Sequence, residues 1–357
     1  MNIDQAPLVV TWETTQACDL GCASCRLGAN PYPDPAELTT GEGFRLLEQI
    51  REFGTPLLMF SGGDPLKRPD LTSLLRRSVA LGLRTQICPR ATPLLTRDAM
   101  RRLQSCGVER MSICLDGPNA WQHDGFRGVD GAYERAVEAL EDARLMDLRT
   151  EVRTTVTHRN LHSLEQIAEI AASVEAHTWS LFFPVPLGGW KNQALLADEY
   201  EQVFEQLQAI SSWAPFEVVT NEAAHYRRHL VDSEQSESGQ GESRERCAAV
   251  SDGRGSLFIS HTGEIHPSGF LPVSAGNVRR DSLVEVYRNS SLFRILRDSR
   301  GREGKCGFCE YGRVCGGSRA RAYAATGDFL AEDPGCTYEP ARAAVEARRM
   351  SRPVLVQ

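Results

Sequence analysis

Six short apolar runs typical of β-strands alternate with segments of helical periodicity along the first part of the chain. The strands are predicted at 7–12, 56–60, 83–88, 108–116, 148–157 and 178–186. The helices are predicted at 40–53, 70–81, 96–105, 131–146, 161–175 and 197–211. Such an alternation predicts an α/β fold in which helices cover a parallel sheet, with functional residues at the carboxyl ends of the strands.

The composition excludes several classes of protein. The 357 residues include 40 Lys or Arg and 47 Asp or Glu, so the net charge of −7 argues against a basic nucleic-acid binder. The 41% of hydrophobic residues can fill the cores of about two domains. No apolar run approaches the ~18 residues of a membrane span, and no basic signal-peptide start is present. We therefore expect a cytosolic protein with no nucleic-acid or membrane partner.

The pattern changes after the sixth strand. A polar stretch at 232–246 is rich in glycine and serine and has no periodicity, which indicates a linker or mobile loop. A hairpin is predicted at 255–269 and a helix near 282–298. The predicted parts are a barrel domain at 1–215, a connecting segment at 216–246, a cysteine-rich domain at 247–345 and a tail at 346–357.

Eleven cysteines are unevenly placed, and the first group follows the first strand. Cys18, Cys22 and Cys25 have the spacing C-x3-C-x2-C, which in a reducing compartment indicates metal or cluster ligands rather than disulfides. Three thiolates hold three irons of a [4Fe–4S] cluster and leave the fourth iron open to a substrate. A zinc site is the alternative.

The second group contains Cys306, Cys309, Cys315 and Cys336. Four thiolates complete a [4Fe–4S] cluster without an open iron, which suits electron transfer. A zinc ribbon with four cysteine ligands has the same ligand count and is the alternative here.

The first cysteine group and a turn one strand later together resemble a known superfamily. The turn after the second strand reads Gly62-Gly63-Asp64-Pro65, and its glycines permit close approach of the backbone. A cysteine triplet after strand one and a Gly-Gly-Glu-Pro-like turn after strand two are typical of the radical S-adenosylmethionine (SAM) superfamily, which the chain resembles over most of its length. The resemblance implies a partial (β/α)6 TIM-like barrel in which this turn contacts the methionine amino group of SAM.

The resemblance also implies a reaction and its cofactors. In the superfamily a SAM-binding [4Fe–4S] cluster cleaves SAM reductively to a 5′-deoxyadenosyl radical, which removes a hydrogen atom from an unactivated C–H bond. The barrel excludes water and positions one target carbon. The expected partners are a small-molecule substrate and a flavodoxin or ferredoxin as the reductant.

Further residues are candidates for contact with SAM, some from the same resemblance and one from its charge. Ser112 and Asp116 resemble the segment that lines the ribose pocket, although a strand end with an Asx turn is the alternative. Arg153 is a candidate for binding the carboxylate of SAM or of the substrate, or is a solvated surface charge. Where the family has an aromatic residue before the third cysteine, this chain has Ser24. Alternative stacking partners for adenine are Trp12 and Phe60.

The C-terminal cysteine group resembles the SPASM or twitch extension of radical SAM enzymes. The full form holds two auxiliary clusters through seven cysteines, but Ser268 and Arg319 occupy two of those positions here. Of the inner cluster's signature ligands only Cys247 is present. We therefore predict one auxiliary [4Fe–4S] cluster. This reduced pattern most resembles the branch that contains the enzymes of d-type haem and alternative haem biosynthesis, which act on tetrapyrrole propionates.

Two further cysteines are candidate catalytic residues. Cys88 and Cys114 lie at the predicted ends of strands three and four, where a thiol can return a hydrogen atom to a substrate radical and so cause epimerisation. The alternative is that each is a small buried hydrophobic residue.

The main functional prediction is a radical SAM oxidoreductase that dehydrogenates or epimerises a small specialised metabolite such as a sugar or aminocyclitol. The alternatives are modification of tetrapyrrole propionate side chains, maturation of a ribosomal peptide, and an iron–sulfur electron carrier without a substrate.

Overall fold

A single sheet organises the computed structural model, which describes residues 2–23, 25–237 and 250–341. Its seven parallel strands are β1 (Val9–Thr15), β2 (Leu57–Gly62), β3 (Arg84–Ile87), β4 (Arg110–Cys114), β5 (Thr150–Thr155), β6 (Thr178–Phe182) and β7 (Glu217–Asn221). Three short strands follow, namely β8 (Ser256–Ile259), β9 (Glu264–His266) and β10 (Gly276–Asn277). The order across the sheet is β10-β9-β8-β1-β2-β3-β4-β5-β6-β7.

Helices connect and cover these strands. In the barrel part they are α1 (Thr40–Arg51), α2 (Leu71–Ala80), α3 (Arg97–Ser105), α4 (Ala120–Arg127), α5 (Ala132–Leu145), α6 (Leu164–Ser173), α7 (Ala197–Ser211) and α8 (Tyr226–Glu237). The C-terminal helices are α9 (Leu283–Asn289), α10 (Ser291–Arg297), α11 (Gly304–Phe308) and α12 (Arg319–Thr326). Within the described ranges, no helix has the length and apolar character needed to cross a membrane.

Local sequence signals account for several of these helices. At the start of α1, the Thr39 side chain accepts from the Glu42 N–H while the Glu42 carboxylate accepts from the Thr39 N–H at 2.8 Å, which is a complete capping box. The predicted helix near 282–298 divides into α9 and α10. The division falls at Ser290, whose backbone is extended and whose hydroxyl caps α10.

The core lies between the helices and the parallel strands. Val10 and Trp12 on β1 and Leu58 and Phe60 on β2 are fully buried, as expected for strands that point alternate residues toward covering helices. Because the parallel strands share one direction, their carboxyl ends meet at one edge, where the first cysteine group lies. The predicted α/β barrel is confirmed.

The sheet extends beyond the six predicted strands. β7 follows residue 215 and pairs in parallel with β6, while β8 pairs in parallel with the opposite end strand, β1. Residues Glu217–Asn221 are half-buried or exposed, so they lack the apolar run from which strands are predicted. The hairpin formed by β8 and β9 is therefore continuous with the barrel sheet.

Candidate active site and cluster ligands

The cysteine triplet lies on the loop that follows β1. The Cys25 N–H donates to the Cys22 carbonyl at 3.0 Å, and the Cys18 N–H donates to the Asn30 carbonyl at 2.8 Å, so the loop folds back on itself. Burial raises the pKa of both Cys18 and Cys22. At Cys22 the Arg127 guanidinium opposes this effect by charge and by a hydrogen bond. Arg127 of α4 thus places a cation beside Cys22, one of the three thiols of this loop.

This loop rests directly on the end of α4. The Gly21 N–H donates to the Arg127 carbonyl at 3.0 Å. A Cβ built on Gly128, whose φ is +67°, would lie 2.3 Å from the Gly21 carbonyl oxygen. A Cβ on Gly21 would lie 2.9 Å from the Gly128 carbonyl oxygen. Backbone therefore packs on backbone here, and α4 positions the middle of the cysteine loop.

The glycine turn after β2 packs on the same loop from the other side. The Gly63 N–H donates to the Thr15 carbonyl at 2.8 Å, and the Asp64 N–H donates to the Ala17 carbonyl at 2.7 Å. A Cβ on Gly63 would lie only 2.3 Å from the Ala17 oxygen. The glycine is thus needed for close approach to the chain immediately before Cys18.

The carboxylate of Asp64 is used inside the turn. Its Oδ1 accepts from the N–H groups of Leu66 at 3.1 Å and Arg90 at 3.3 Å, and its Oδ2 accepts from the Thr92 hydroxyl at 2.7 Å. The side chain is fully buried, which raises its pKa. Pro65 begins the short helical turn that follows. Asp64 therefore shapes the turn.

Arg90 joins the turn to the two candidate catalytic thiols. Its Nη2 donates to the Gly62 carbonyl at 2.6 Å and its Nε donates to the Gly63 carbonyl at 2.8 Å. Its Nη1 lies 3.2 Å from Cys88 Sγ and 3.6 Å from Cys114 Sγ. The two thiols hydrogen-bond to each other, which raises the pKa of Cys88 and lowers the pKa of Cys114.

The surroundings of the two thiols differ. Cys114 and Arg90 line a small cavity of about 10 Å³. Cys88 is fully buried, and Arg153 Nη1 lies 3.8 Å from its Sγ and 3.1 Å from Met59 Sδ. Arg153 is thus a half-buried neighbour of the thiol pair rather than a solvated surface charge.

Ser112 and Asp116 are held by other side chains of the barrel. The Ser112 hydroxyl accepts from Gln86 Nε2 at 2.6 Å and donates to Glu151 Oε2 at 2.6 Å. The Asp116 carboxylate pairs with Arg127. Both side chains are buried, and these contacts favour a structural role over direct contact with SAM.

A larger cavity of about 340 Å³ opens beside the cysteine loop. Cys25 and Arg26 line it from that loop, Trp190 from the turn after β6, and Phe258 and Phe270 from the C-terminal part of the chain. Its size is typical of a small-molecule site, and its aromatic walls with one guanidinium suit a flat molecule that carries an acid group.

The second cysteine group surrounds a site with its own backbone donors. The Cys306 Sγ accepts from the Asp333 N–H at 3.4 Å, and the Cys315 Sγ accepts from the Gly317 N–H at 3.3 Å. Burial raises the pKa of Cys315 to about 12 and that of Cys336 to about 11. Thiolates that receive such N–H groups fit an iron–sulfur cluster.

Among the described residues, the arrangement of both groups differs from that of a mononuclear metal site. Within residues 2–23, 25–237 and 250–341, no three metal-binding side chains are arranged to hold a single ion. A [4Fe–4S] cluster spreads its thiolates over separate irons, so both groups have the donor set that it needs. In the second group, burial raises the pKa of Cys309.

Two positions where the resemblance expects cysteine carry structural polar residues. The Ser268 hydroxyl donates to the Asp252 carboxylate. The buried Arg319 donates to two backbone carbonyls, at 2.7 and 3.0 Å, and its Nη2 lies 3.7 Å from Cys306 Sγ. Cys247, like Ser24, lies outside the described residues.

Sequence reasoning missed two arginines, Arg26 and Arg90, and considered two aromatic residues that belong to the core. Trp12 and Phe60 are fully buried with ring centroids 5.5 Å apart, so neither presents a face to adenine. Arg26, Arg90 and Arg127 reach the thiols or the cavity instead. Two of them stand one or two positions after a cysteine, which is a usable sequence signal.

Comparison with known proteins identifies the class. The pattern of the Radical SAM superfamily matches residues 12–171. An AdoMet-dependent heme synthase from Methanosarcina barkeri is 38% identical over 347 residues, which cover 94% of this chain and 98% of that protein. The chain therefore belongs to the radical SAM superfamily, whose cofactors are SAM and a SAM-binding [4Fe–4S] cluster.

Within the superfamily, several relatives carry the names of haem biosynthesis enzymes, the branch that the sequence pattern predicted. A pre-heme d1 synthase from Dinoroseobacter shibae is 28% identical and covers 92% of this chain and 85% of its own length. Among solved structures, Streptococcus suis SuiB bound to S-adenosylmethionine superimposes with a TM-score of 0.73 at 15% identity, covering 94% of this chain and 78% of that one. The structural likeness supports the fold.

These relatives correct the main functional prediction. A sugar or aminocyclitol as the substrate of oxidation or epimerisation is wrong, because four relatives that are 28 to 38% identical over 92 to 94% of the chain are named for haem synthesis. The prediction of a radical SAM enzyme is confirmed.

Proposed function

We propose that this enzyme modifies a propionate side chain of an iron tetrapyrrole through SAM-derived radical chemistry, and that the outcome is oxidative. The observation that carries the proposal is the similarity to AdoMet-dependent heme synthases, at 36 to 38% identity over 93 to 94% of the chain. A similarity of this length includes the cysteine loop, the larger cavity and the second cysteine group together.

The larger cavity supports the same substrate class. Aromatic side chains such as Trp190, Phe258 and Phe270 present flat apolar surface, which suits a tetrapyrrole ring. Cys25 lines this cavity, so a molecule bound there lies beside the cysteine loop. We assign the SAM-binding cluster to Cys18, Cys22 and Cys25.

The residues around that cluster have separate tasks in this proposal. When bound, the cluster and SAM supply a 5′-deoxyadenosyl radical. The turn Gly62-Gly63-Asp64-Pro65 forms the edge against which SAM lies, and Arg90 holds two of its carbonyls.

The oxidative outcome requires an electron acceptor. A propionate that loses one hydrogen atom from the carbon next to the ring becomes a carbon radical. Loss of CO2 and one electron from this radical leaves a vinyl group. We assign the acceptor to one auxiliary [4Fe–4S] cluster in residues 247–345. Its ligands are Cys306, Cys309, Cys315 and Cys336.

Two further assignments belong to the proposal. A flavodoxin or ferredoxin supplies the electron for SAM cleavage. The role of Cys88 and Cys114 as hydrogen donors stays a prediction. The oxidative reaction proposed here does not need such a donor, because it returns no hydrogen to the substrate. Neither thiol is among the described residues that line the larger cavity.

The direct test is turnover by anaerobically reconstituted enzyme with SAM, dithionite and iron coproporphyrin III. We expect 5′-deoxyadenosine together with a product that has lost the mass of CO2 and H2 for each propionate converted. The Cys22→Ala variant is the matched control and should form neither. Unchanged tetrapyrrole, with no more 5′-deoxyadenosine than in its absence, would contradict the proposal.

The same reaction in deuterated buffer tests the two thiols, because S–H groups exchange with solvent. The oxidative proposal predicts no deuterium in the product or in the recovered substrate. Deuterium that disappears in Cys114→Ala or Cys88→Ala would instead make the thiols hydrogen donors.

A further inference from the structure

A buried carboxylate on β1 holds the cation of the larger cavity. Glu13 is 1% exposed and pairs with Arg26 through Oε2. Its Oε1 lies 2.5 Å from His261 Nδ1, and His261 Nε2 lies 3.4 Å from Asp34. A buried carboxylate needs such partners, so Arg26 has a fixed anchor at one end of its guanidinium.

The rest of that guanidinium is available to a ligand. An arginine has five N–H donors, and Arg26 uses Nη2 for Glu13, with no further acceptor among the described residues. Its face lies over the Phe258 ring at 5.0 Å from the centroid. The side chain is 39% exposed, and Arg26 lines the larger cavity. Unused donors therefore face the space that a substrate would occupy.

The charge in this cavity is one-sided. Among the described residues that line it, Arg26 alone carries a permanent charge, and no carboxylate lines it. Burial lowers the pKa of His266, which also lines the cavity, so its imidazole is neutral at pH 7. A carboxylate that enters meets the remaining N–H groups of an Arg26 guanidinium that Glu13 holds from the other side, in largely apolar surroundings where a charge-assisted bond is strong.

We infer that Arg26 binds a propionate carboxylate of the substrate and so sets which part of the ring faces the radical. The inference rests on the proposed function. Because Arg26 directly follows Cys25, a carboxylate bound to it lies beside a ligand of the SAM-binding cluster. Glu13 is then a positioning residue that holds the guanidinium in place.

Binding, measured without turnover, tests the inference. Reconstituted full-length enzyme is titrated with iron coproporphyrin III and, in the same solvent, with its tetramethyl ester, and the tetrapyrrole absorption band reports binding. The wild type should prefer the acid. Arg26→Gln should weaken acid binding by about ten- to a hundredfold and leave ester binding unchanged, as expected for loss of a hydrogen bond to a charged group.

Two further variants serve as controls. Arg97→Gln removes an exposed arginine of α3 that pairs with Asp142 of α5. This variant should bind the acid and the ester as the wild type does. Arg26→Lys keeps a charge beside Glu13. This variant is therefore measured in place of Arg26→Gln if the Arg26→Gln protein loses its iron. It should weaken acid binding severalfold, because lysine lacks the planar fork.

The outcomes separate this inference from the proposed function. Equal binding of acid and ester by the wild type, or an acid preference that survives in the Arg26 variants, overturns the role of Arg26 even if turnover proceeds. Equal weakening of acid and ester overturns it too, since a collapsed pocket explains that result. Wild-type enzyme that binds neither tetrapyrrole and converts none contradicts the proposed function itself.

Discussion

Single residues around the cysteine loop show how backbone contact replaces side-chain contact. A Cβ added at any of three glycines would lie 2.9 Å or less from a carbonyl oxygen of another chain segment, namely at Gly21, Gly63 and Gly128. Side chains cannot enter such contacts without moving the loop, so the positions of the thiols depend on residues that have no chemistry of their own.

Gly63→Ala should therefore damage the site without removing a ligand. The new Cβ would lie 2.3 Å from the Ala17 oxygen and 2.5 Å from the Gln16 oxygen, which forces the cysteine loop to shift. We expect a loss of about 1–3 kcal/mol in the free energy of unfolding, as for an overpacked core, and less 5′-deoxyadenosine per iron. Urea unfolding and single-turnover assays measure these effects.

Gly125→Ala is the control for that substitution. Gly125 is an exposed residue of α4, and a Cβ there meets no atom within 4 Å. Because alanine favours helix over glycine, stability should stay equal or rise by about 0.5–1 kcal/mol. Similar behaviour of the two variants would argue against close packing at Gly63.

Glu222 should make stability depend on pH. Its carboxylate accepts from the Ser318 hydroxyl at 2.7 Å, and burial, helped by Asp252, raises its pKa from 4.5 to about 8. The folded state therefore keeps a proton that the unfolded state loses between pH 4.5 and 8, so this contribution is full below pH 4.5 and is lost as pH rises to about 8.

Glu222→Gln cannot titrate, so its melting temperature should fall less than that of the wild type between pH 5.5 and 8. Thermal unfolding followed by circular dichroism measures both proteins. Parallel pH profiles would mean that Glu222 is ionised in the folded enzyme across this range.

Among the elements, a buried ion pair joins α12 to the segment before Cys336, and a hydrogen bond links this pair to the barrel. Arg321 on α12 donates to both carboxylate oxygens of Asp333, at 2.7 and 2.9 Å, and its Nη1 donates to the Tyr200 hydroxyl on α7 at 2.7 Å. The second cysteine group thus depends on contacts with a barrel helix.

Asp333→Asn should weaken this junction strongly, because Arg321 would keep its charge without a buried partner. We expect a loss of about 3–5 kcal/mol in the free energy of unfolding and poorer iron retention. Arg300→Gln, which breaks an exposed pair with Asp298, should cost at most about 1 kcal/mol. Chemical unfolding of the two variants measures the difference, and equal losses would contradict the role of the buried pair.

At the scale of the molecule, one sheet carries two separate cysteine groups. β8 pairs with β1, and Arg279 before α9 pairs with Glu42 on α1, so these contacts attach the C-terminal part to the barrel in addition to the contact of α12 with Tyr200. Each group nevertheless has its own backbone N–H donors, from Leu20 to Cys18 in the first group and from Gly317 and Asp333 to the thiols of the second. We therefore expect the two clusters to assemble independently.

Iron and labile sulfide analysis tests this independence. The wild type should hold about eight irons per chain, and the Cys18/Cys22/Cys25→Ala variant should hold about four and form no 5′-deoxyadenosine. Cys106→Ala, which changes a buried cysteine outside both groups, should keep all its iron. A triple variant without any iron would contradict independent assembly, and retained zinc would assign the second group to a zinc ribbon.

The sequence by itself determined the features that depend on neighbours along the chain. Apolar periodicity predicted six barrel strands and their helices, and cysteine spacing with the glycine turn predicted the class of enzyme, because a cluster loop needs its ligands a few residues apart. Only the tertiary structure decided which distant residues meet. Half-buried β7 is a strand because it pairs with β6. Arg26 pairs with Glu13 and lies over Phe258, which are 13 and 232 positions away in the sequence. No local pattern encodes such contacts, since they arise from packing between elements.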